Sequence, residues 1–322
     1  MLHIIDNDGL GGAQVLVRFH IRHCDSYDNH VFYLRHKPGF GSRDNVKAHY
    51  PENNKKYSLS QFTELLELIK RLKPALVHCH LTKSLLLGIL IKRKYPSLAV
   101  VYHEHGVVLA TASLFKLVHR LFLWQATAYL NRFIAVSPEA QKHLYAVKGM
   151  EGQKVSLIEN FYHPPGPVQP EKLKALKNEV GGVANHFIVG FAGRLSRVKN
   201  LEVLVRALTL LNFPCKLVIA GDGEKRKALQ KLVARLKLTS HVVFLGYQDT
   251  LAGFWGLLDC YVQPSAWESF GLSLFEAMRA DVPVIASDIP VHRYYLSQAP
   301  SGLLFPVNNS EELAKRIRML HM

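Results

Sequence analysis

The chain has 322 residues, enough for two α/β domains, and its hydrophobic fraction of 48% is ordinary for a globular protein. This composition excludes the collagen-like and disordered classes, and the apolar runs near residues 85–91 and 121–130 are too short to span a bilayer. The formal net charge of +15 favours anionic partners, such as a diphosphate substrate or an anionic membrane surface. No zinc knuckle or aromatic RNA-binding strand accompanies the charge, so we expect no nucleic-acid partner.

The N-terminal half alternates short apolar strands with amphipathic helices. Its first residues form a predicted buried strand, Leu2–Asp6, rather than a signal peptide, so we expect a cytoplasmic protein. Helical spacing of apolar residues is present in Gln61–Leu72 and Pro138–Val147. The other predicted strands of this half are His30–Arg35, Leu76–Cys79, Ala99–His103, Phe133–Val136 and Val155–Glu159. Strands that alternate with helices predict βαβ units and a parallel sheet.

A proline-rich segment, Asn160–Pro170, interrupts this alternation and predicts a linker between domains at residues 1–163 and 164–322. A second series of alternating elements follows it. The predicted strands are Phe187–Phe191, Cys215–Ala220, Val242–Leu245, Cys260–Gln263 and Val282–Ser287. The predicted helices are Asn200–Leu211, Glu224–Leu236, Phe270–Ala280 and Ser310–Leu320. The expected fold is α/β, with two Rossmann-like, doubly wound parallel-sheet domains facing a cleft.

Two glutamates stand eight positions apart in the segment SAWESFGLSLFE, residues 265–276. Along a helix, eight positions correspond to about 12 Å, which is close to the span from a sugar ring across a diphosphate to a ribose. Amides at the start of the predicted helix would face the phosphates. An ordinary solvent-exposed pair is the alternative, but Glu276 lies among apolar residues, where a carboxylate needs a partner or a ligand.

This segment resembles the glutamate pair of the retaining glycosyltransferases of family 4, glycosyl transferases group 1, which have the GT-B fold. Further family motifs follow in order along nearly the whole chain. They are GLGGAQ (9–14), VHCH (77–80), YHEHG (102–106), AVSPEAQKHL (135–144), FAGRLSRVKN (191–200), LVIAGDGEKRKALQ (217–230) and VVFLGY (242–247). The resemblance implies an N-terminal acceptor-binding domain and a C-terminal domain that binds a nucleotide-sugar donor. Asn200 and Asp281 depart from the family by replacing residues that are commonly glycine.

The resemblance also implies roles for individual residues. Arg194 and Lys199 would bind the donor diphosphate and neutralise it as the glycosidic bond breaks. Glu276 would accept hydrogen bonds from the ribose hydroxyls, and Glu268 would hold sugar hydroxyls near the reacting carbon. A histidine that contacts the donor sugar corresponds to His105. The predicted catalytic residues are therefore Glu268, His105, Arg194 and Lys199. The donor-binding residues are Gly11, Gly12, Gly193, Arg194, Lys199, Gly221, Phe270, Gly271, Leu272 and Glu276.

No metal or other cofactor is predicted. The HxH pairs His78/His80 and His103/His105 could each place two imidazoles on one strand face, as two metal ligands are arranged. No third ligand type is spaced suitably, so a zinc site is disfavoured. The DxD motif Asp6–Asp8 ends the first strand, and we interpret it as a loop and helix-start device rather than a metal-binding motif.

The sequence thus predicts a metal-independent hexosyltransferase that uses a nucleotide sugar and a lipid-linked or polysaccharide acceptor in surface-glycan biosynthesis. A catalytically weak or silent nucleotide-sugar-binding partner is the alternative. A second enzyme hypothesis is a sugar-nucleotide epimerase or a phosphorylase on the same scaffold, but a phosphorylase should have a pyridoxal-binding lysine region and far greater length. Basic residues cluster at the ends of two predicted helices, Lys70–Lys73 and Lys92–Lys94. Cations favour helix C-termini in general, but these runs also fit peripheral contact with the anionic inner leaflet. The expected apolar partners of the basic residues on the same helices are Leu65, Leu66 and Ile69 in the first and Leu86, Ile89 and Leu90 in the second.

Overall fold

The computed structural model describes the chain except residues 10, 25, 37–46, 56–57, 107–112, 151, 161–169, 182–184, 249, 298–301 and 322. The chain divides into two compact units, Met1–Phe161 and Tyr162–Met322. Within the described ranges, no helix is long and apolar enough to cross a membrane.

The N-terminal unit has a parallel sheet whose described strands are ordered β3-β2-β1-β4-β5-β6-β7. Its strands are β1 (Leu2–Ile5), β2 (His30–Tyr33), β3 (Lys47–His49), β4 (Leu76–His80), β5 (Ala99–Glu104), β6 (Arg132–Ala135) and β7 (Val155–Leu157). Its helices are α1 (Gly12–His23), α2 (Leu59–Leu72), α3 (Leu81–Lys94), α4 (Ser113–Tyr129) and α5 (Pro138–Tyr145). All four residues of β1 are buried, as expected for a strand covered on both faces.

The C-terminal unit repeats this architecture with described strands in the order β10-β9-β8-β11-β12-β13. The strands are β8 (Phe187–Ala192), β9 (Cys215–Ala220), β10 (Val242–Gly246), β11 (Cys260–Gln263), β12 (Val284–Ser287) and β13 (Gly302–Phe305). The helices are α6 (Pro170–Glu179), α7 (Leu201–Leu208), α8 (Arg226–Arg235), α9 (Ala252–Trp255), α10 (Leu272–Arg279), α11 (Pro290–Leu296) and α12 (Ser310–His321). The parallel pairings in both units confirm the predicted doubly wound fold.

The order of strands positions the candidate site residues. In each sheet the first strand lies between its successor and a later strand, β1 between β2 and β4, and β8 between β9 and β11. Ligands of doubly wound folds bind beside the carboxyl ends of strands at such a reversal. The loops that follow β1, β8 and β11 contain most of the residues that the sequence predicts to bind the donor.

The predicted elements differ from the observed ones mainly at their ends. The predicted linker is wrong at Pro170, which begins α6, as proline often does at the first position of a helix. The other linker residues from 161 lie outside the described residues. The strands β3 and β13 were not predicted. The helix predicted from Phe270 begins at Leu272, because Gly271 has a left-handed backbone with φ of +89°.

Candidate functional site

Glu268 lies in the loop after β11, where one of its oxygens accepts three hydrogen bonds. The donors to Oε1 are Lys199 Nζ, Gln263 Nε2 at 2.6 Å and Ser265 Oγ at 2.7 Å. Glu268 is 9% exposed. Three donors on Oε1 fix the side chain and leave the second oxygen, Oε2, outside this network.

The electrostatics of this loop keep Glu268 ionised. Burial by itself would raise the pKa of the carboxyl, but the Lys199 ammonium and the hydrogen bonds from Lys199 and Ser265 outweigh it and hold the pKa below its usual value. A buried carboxylate is therefore present at neutral pH, with one cation in direct contact.

Several buried polar residues around Glu268 were not predicted from the sequence. Gln263 ends β11, is fully buried, and links Glu268 to the hydroxyl of Tyr261. Ser287, at the end of β12, donates to the carbonyl oxygen of Ser265 at 2.5 Å. His292 on α11 directs Nδ1 to the Ser287 carbonyl oxygen at 2.9 Å, and its Nε2 has no hydrogen-bond partner among the described residues.

Glu276 lies on α10 in an environment unlike that of Glu268. It forms no ion pair among the described residues, and burial raises the pKa of its carboxyl to about 7. The two glutamates therefore differ in protonation near neutral pH, one ionised and the other half protonated. Such divergent pairs are typical of functional sites. The helical spacing of about 12 Å does not apply to them, because only the residues from Leu272 onward are helical.

The residues that precede α10 shape its start. Phe270 is buried and packs against Phe275 and Tyr295, with ring centroids 4.5 and 5.2 Å away, so its side chain anchors the turn. Gly271 is the residue before the helix, and a β-carbon there would lie 3.9 Å from His292 Nε2. With Leu272 as the first helical residue, the free amides of α10 begin at this turn.

Gly193 and Gly221 pack backbone against backbone after β8 and β9. Their φ angles are +148° and +135°, and a β-carbon on Gly221 would lie 1.9 Å from the carbonyl oxygen of Gly193. The structure thus gives both glycines a packing role. Arg194 follows, with a side chain 66% exposed, and its guanidinium donates to Glu224 at 3.1 Å. It does not contact Glu268, whereas Lys199 does.

In the N-terminal unit, the loop after β1 leads into α1 through Gly11 and Gly12. Gly11 precedes the helix, and a β-carbon there would lie 2.3 Å from Gln14 Oε1. Asp6 lies 3.6 Å from Lys83 Nζ, and buried Asp8 lies 2.6 Å from His36 Nδ1. The carboxylates of the DxD motif thus contact separate side chains, Asp6 in an ion pair with Lys83 and Asp8 in a hydrogen bond with His36, and neither caps α1.

Five histidines of β1, β4 and β5 and the loop after β5 form a histidine cluster: His3, His78, His80, His103 and His105. None of them is more than 8% exposed. His3 Nδ1 lies 3.0 Å from His80 Nε2, and His80 Nδ1 lies 2.8 Å from His105 Nε2. Burial lowers the pKa of His3 and His105 to about 3 and holds the pKa of the other three well below the usual value. All five imidazoles are therefore neutral near pH 7.

Two family models match the chain. The model described as Glycosyltransferase Family 4 matches residues 10–164, and the model described as Glycosyl transferases group 1 matches residues 174–321. One model thus covers most of each compact unit.

Individual relatives agree with the family models. EpsD of Bacillus subtilis (strain 168) is 27% identical over 274 residues, which make up 82% of this chain and 72% of EpsD. The O-antigen biosynthesis glycosyltransferase WclY of Escherichia coli is 24% identical over 212 residues, 66% of this chain and 56% of WclY. The matched region thus spans just over half the length of WclY.

The fold also matches a solved structure. The crystal structure of HepE from Anabaena in complex with UDP and glucose aligns with a TM-score of 0.85 at 23% identity, and covers 99% of this chain and 88% of HepE. This similarity confirms the predicted GT-B fold.

Proposed function

Because this chain belongs to glycosyltransferase family 4, the glycosyl transferases group 1, we propose that it moves a hexosyl group, with retention, from a nucleotide sugar to a lipid-linked or polysaccharide acceptor. HepE is bound to UDP-glucose in one structure, and the name of WclY refers to O-antigen biosynthesis. These names support a nucleotide-sugar donor and a surface-glycan product. The observation that carries the proposal is the pair of glutamates, Glu268 and Glu276, whose pKa values shift in opposite directions.

Glu276 is the proposed ribose-binding residue. A partly buried carboxylate without an ion pair among the described residues needs hydrogen-bond donors, and the two neighbouring hydroxyls of a ribose supply them in the geometry that a carboxylate accepts. Ribose binding would therefore favour the ionised form of Glu276. Removing the acceptor by Glu276→Ala would weaken donor binding by roughly 1–3 kcal/mol.

Glu268 is the proposed residue beside the reacting carbon. Its Oε1 is held by three donors, so its position is set before substrate arrives, and Oε2 can accept hydrogen bonds from sugar hydroxyls. The transition state of glycosyl transfer resembles an oxocarbenium ion, which a fixed, ionised carboxylate stabilises. In the N-terminal unit, we assign His105 as a sugar contact and the Gly11–Gly12 loop to substrate binding.

Transfer is proposed to need no divalent metal at the diphosphate. Lys199, Arg194 and the amides at the start of α10 supply positive charge for the leaving group. Arg194 can leave Glu224 at small cost, because exposed ion pairs contribute only about 0–1 kcal/mol. Transfer should therefore not depend on magnesium or manganese. Loss of activity that magnesium or manganese restores would contradict this proposal.

A membrane-facing surface is proposed for the N-terminal unit, with one correction to the sequence analysis. The predicted apolar partners of the basic residues on α2, Leu65, Leu66 and Ile69, are buried in the core. The exposed apolar surface lies instead on α4, where Leu117, Leu121 and Trp124 are each about half exposed and share one helix face.

Basic groups lie in the same unit, and one of them contacts α4 at its last residue. The guanidinium of Arg93, in the last turn of α3, lies 5.8 Å from the ring centroid of Tyr129 at the end of α4. Lys70 and Lys73 line a groove of about 570 Å³ between the end of α2 and the loop after α3. Exposed apolar residues together with exposed cations are typical of units that bind anionic membranes.

Vesicle sedimentation tests this surface. The chain should sediment with anionic vesicles, less so at high salt, and binding should fall when Arg93 and Lys94 are changed to glutamine. The matched control is Lys231→Gln/Arg235→Gln, which removes two charges from α8 in the other unit. Equal recovery in the supernatant with neutral and anionic vesicles would contradict membrane association.

Calorimetric titration with UDP, GDP and ADP sugars tests the proposed donor class. At least one of these sugar nucleotides should bind, and Glu276→Ala should lower the affinity for it. Binding with no turnover on any acceptor would favour the alternative function, a silent nucleotide-sugar-binding partner of another transferase. Failure of all three classes to bind would contradict both functions.

A further inference from the structure

The register of the N-terminal sheet brings together histidines that are far apart in sequence. β1 pairs with β4 in parallel so that His3 lies directly beside His78. His78 and His80 alternate by two along β4, so both side chains project from the same face of the sheet. The third imidazole that the HxH motif lacks in sequence is therefore supplied by β1.

The ring nitrogens of these three residues are arranged closely enough to bind one ion. One nitrogen each from His3, His78 and His80 can be chosen so that all lie within 4.8 Å of one another, and His3 Nδ1 lies 3.0 Å from His80 Nε2. Two nitrogens bound to tetrahedral zinc at 2.0–2.1 Å are separated by about 3.3 Å. Small side-chain rotations thus suffice to convert the hydrogen-bonded pair into two metal ligands.

His78 provides an independent reason to expect a ligand. Its side chain is more than nine-tenths buried, and its Nε2 has no hydrogen-bond partner among the described residues. A hydrogen-bonded chain from His3 through His80 to His105 satisfies the nitrogens that it joins but leaves this atom unpaired. Burying an unpaired polar atom is unfavourable, and a metal ion would remove that penalty.

We propose that the N-terminal unit binds a divalent transition-metal ion of the zinc class through His3 Nδ1, His80 Nε2 and His78 Nε2. Neutral imidazole is the ligating form, and imidazole ligands suit Zn²⁺ rather than Mg²⁺ or Ca²⁺. Three protein ligands leave one tetrahedral position for water or another group.

The hydrogen bond between His80 and His105 gives the site a consequence beyond the ion itself. With Nε2 on the metal, His80 carries its proton on Nδ1 and donates to His105 Nε2, 2.8 Å away. This bond is the kind that orients a metal-bound histidine. His105 then carries its proton on Nδ1, which has no hydrogen-bond partner among the described residues and can donate to a substrate hydroxyl. Only this last step depends on the proposed function.

Zinc titration of the full chain, purified without a histidine tag and stripped with a chelator, tests the proposal. We expect one Zn²⁺ per chain and a rise in the thermal unfolding midpoint on adding Zn²⁺. His3→Gln and His78→Gln should each weaken zinc binding by about 10–100-fold or more. His49→Gln is the matched control, because His49 belongs to a hydrogen-bonded histidine pair with His30 at 2.9 Å in the same unit.

Replacing Zn²⁺ by Co²⁺ distinguishes the loss of a metal ligand from misfolding of the variant. The visible spectrum of the wild-type cobalt protein should show tetrahedral nitrogen ligation, and folded His3→Gln, verified by circular dichroism, should lose that spectrum. Zinc affinity unchanged in His3→Gln and His78→Gln would overturn the proposal. Loss confined to His103→Gln would also overturn it, since it would place the ion in the other group, His80, His103 and His105. Neither result would bear on nucleotide-sugar binding, which Glu276→Ala tests separately.

Discussion

Replacing Glu276 by glutamine should abolish the pH dependence of donor binding. Burial raises the pKa of this carboxyl to about 7, so about nine-tenths of it is protonated at pH 6, half at pH 7 and one-tenth at pH 8. If only the ionised carboxylate accepts hydrogen bonds from the ribose hydroxyls, the apparent Kd of the wild-type protein for the donor should fall about tenfold from pH 6 to pH 8. Binding at pH 7 should also release about half a proton.

Calorimetry in buffers of different ionisation enthalpy measures both quantities. The ligand should be an intact nucleotide sugar, because a free nucleoside diphosphate has a phosphate group that titrates in the same range. Glu276→Gln should give a flat profile with no proton release, whereas Glu312→Gln, at a partly exposed carboxylate on α12 that pairs with Lys315, should behave as wild type. A flat wild-type profile, or the same slope in Glu276→Gln, would refute the reasoning.

The same pKa shift predicts the direction of a stability change. The pKa of Glu276 in the folded chain is above its unfolded value of 4.5, so the folded state binds the proton more tightly. The unligated protein should therefore lose stability as pH rises from about 4.5 through 7. Glu276→Gln should be more stable to urea than wild type at pH 8, and this advantage should disappear below pH 4.5. An advantage of equal size at both pH values would point to packing instead of ionisation.

Three further predictions concern single residues. Lys199→Met should lower kcat for donor turnover by about 100–1000-fold, because it removes the cation that pairs with Glu268 and that we propose to contact the diphosphate. An unchanged kcat would exclude Lys199 from the site. Gly221→Ala should lower the free energy of unfolding in urea by more than ~3 kcal/mol, because its β-carbon would collide with the Gly193 carbonyl oxygen. Gly152→Ala should lower it by only ~1 kcal/mol, because the β-carbon there meets open space, and equal losses in the two variants would contradict this reasoning. Asp281→Gly should raise the free energy of unfolding by about 0.5–1 kcal/mol, because Asp281 has a left-handed backbone with φ of +56° that glycine adopts without strain. A lower free energy of unfolding would show that the backbone at Asp281 is not strained.

Much of the fold could be predicted because buried parallel strands are short apolar runs. The bounds of Cys215–Ala220 and Cys260–Gln263 were predicted correctly. The strand Lys47–His49 was missed because it has three residues, lies at a sheet edge and is not apolar. Local backbone conformation also escaped prediction: Asn200 and Asp281 replace family glycines at positions where the backbone is left-handed, which asparagine and aspartate tolerate best.

The candidate site was predictable in its charged residues but not in its supporting groups. Glu268 and Lys199 are 69 positions apart in the sequence, so the family resemblance alone could place them in one site without the structure. Gln263 and His292 carry no motif, although a buried glutamine at the end of an apolar strand is a usable signal. His3 could be associated with His78 and His80 only through the register of β1 against β4.

The stereochemistry of donor turnover tests the central claim most directly. Proton NMR can follow the anomeric configuration of the sugar product when the protein acts on an α-linked nucleotide sugar that it binds. The reaction is run with candidate acceptors or with water alone. A retaining transferase that uses Glu268 should first form the α-anomer, before mutarotation, and folded Glu268→Gln should lose this turnover while it still binds the donor. Initial formation of the β-anomer, or undiminished turnover by Glu268→Gln, would contradict the account.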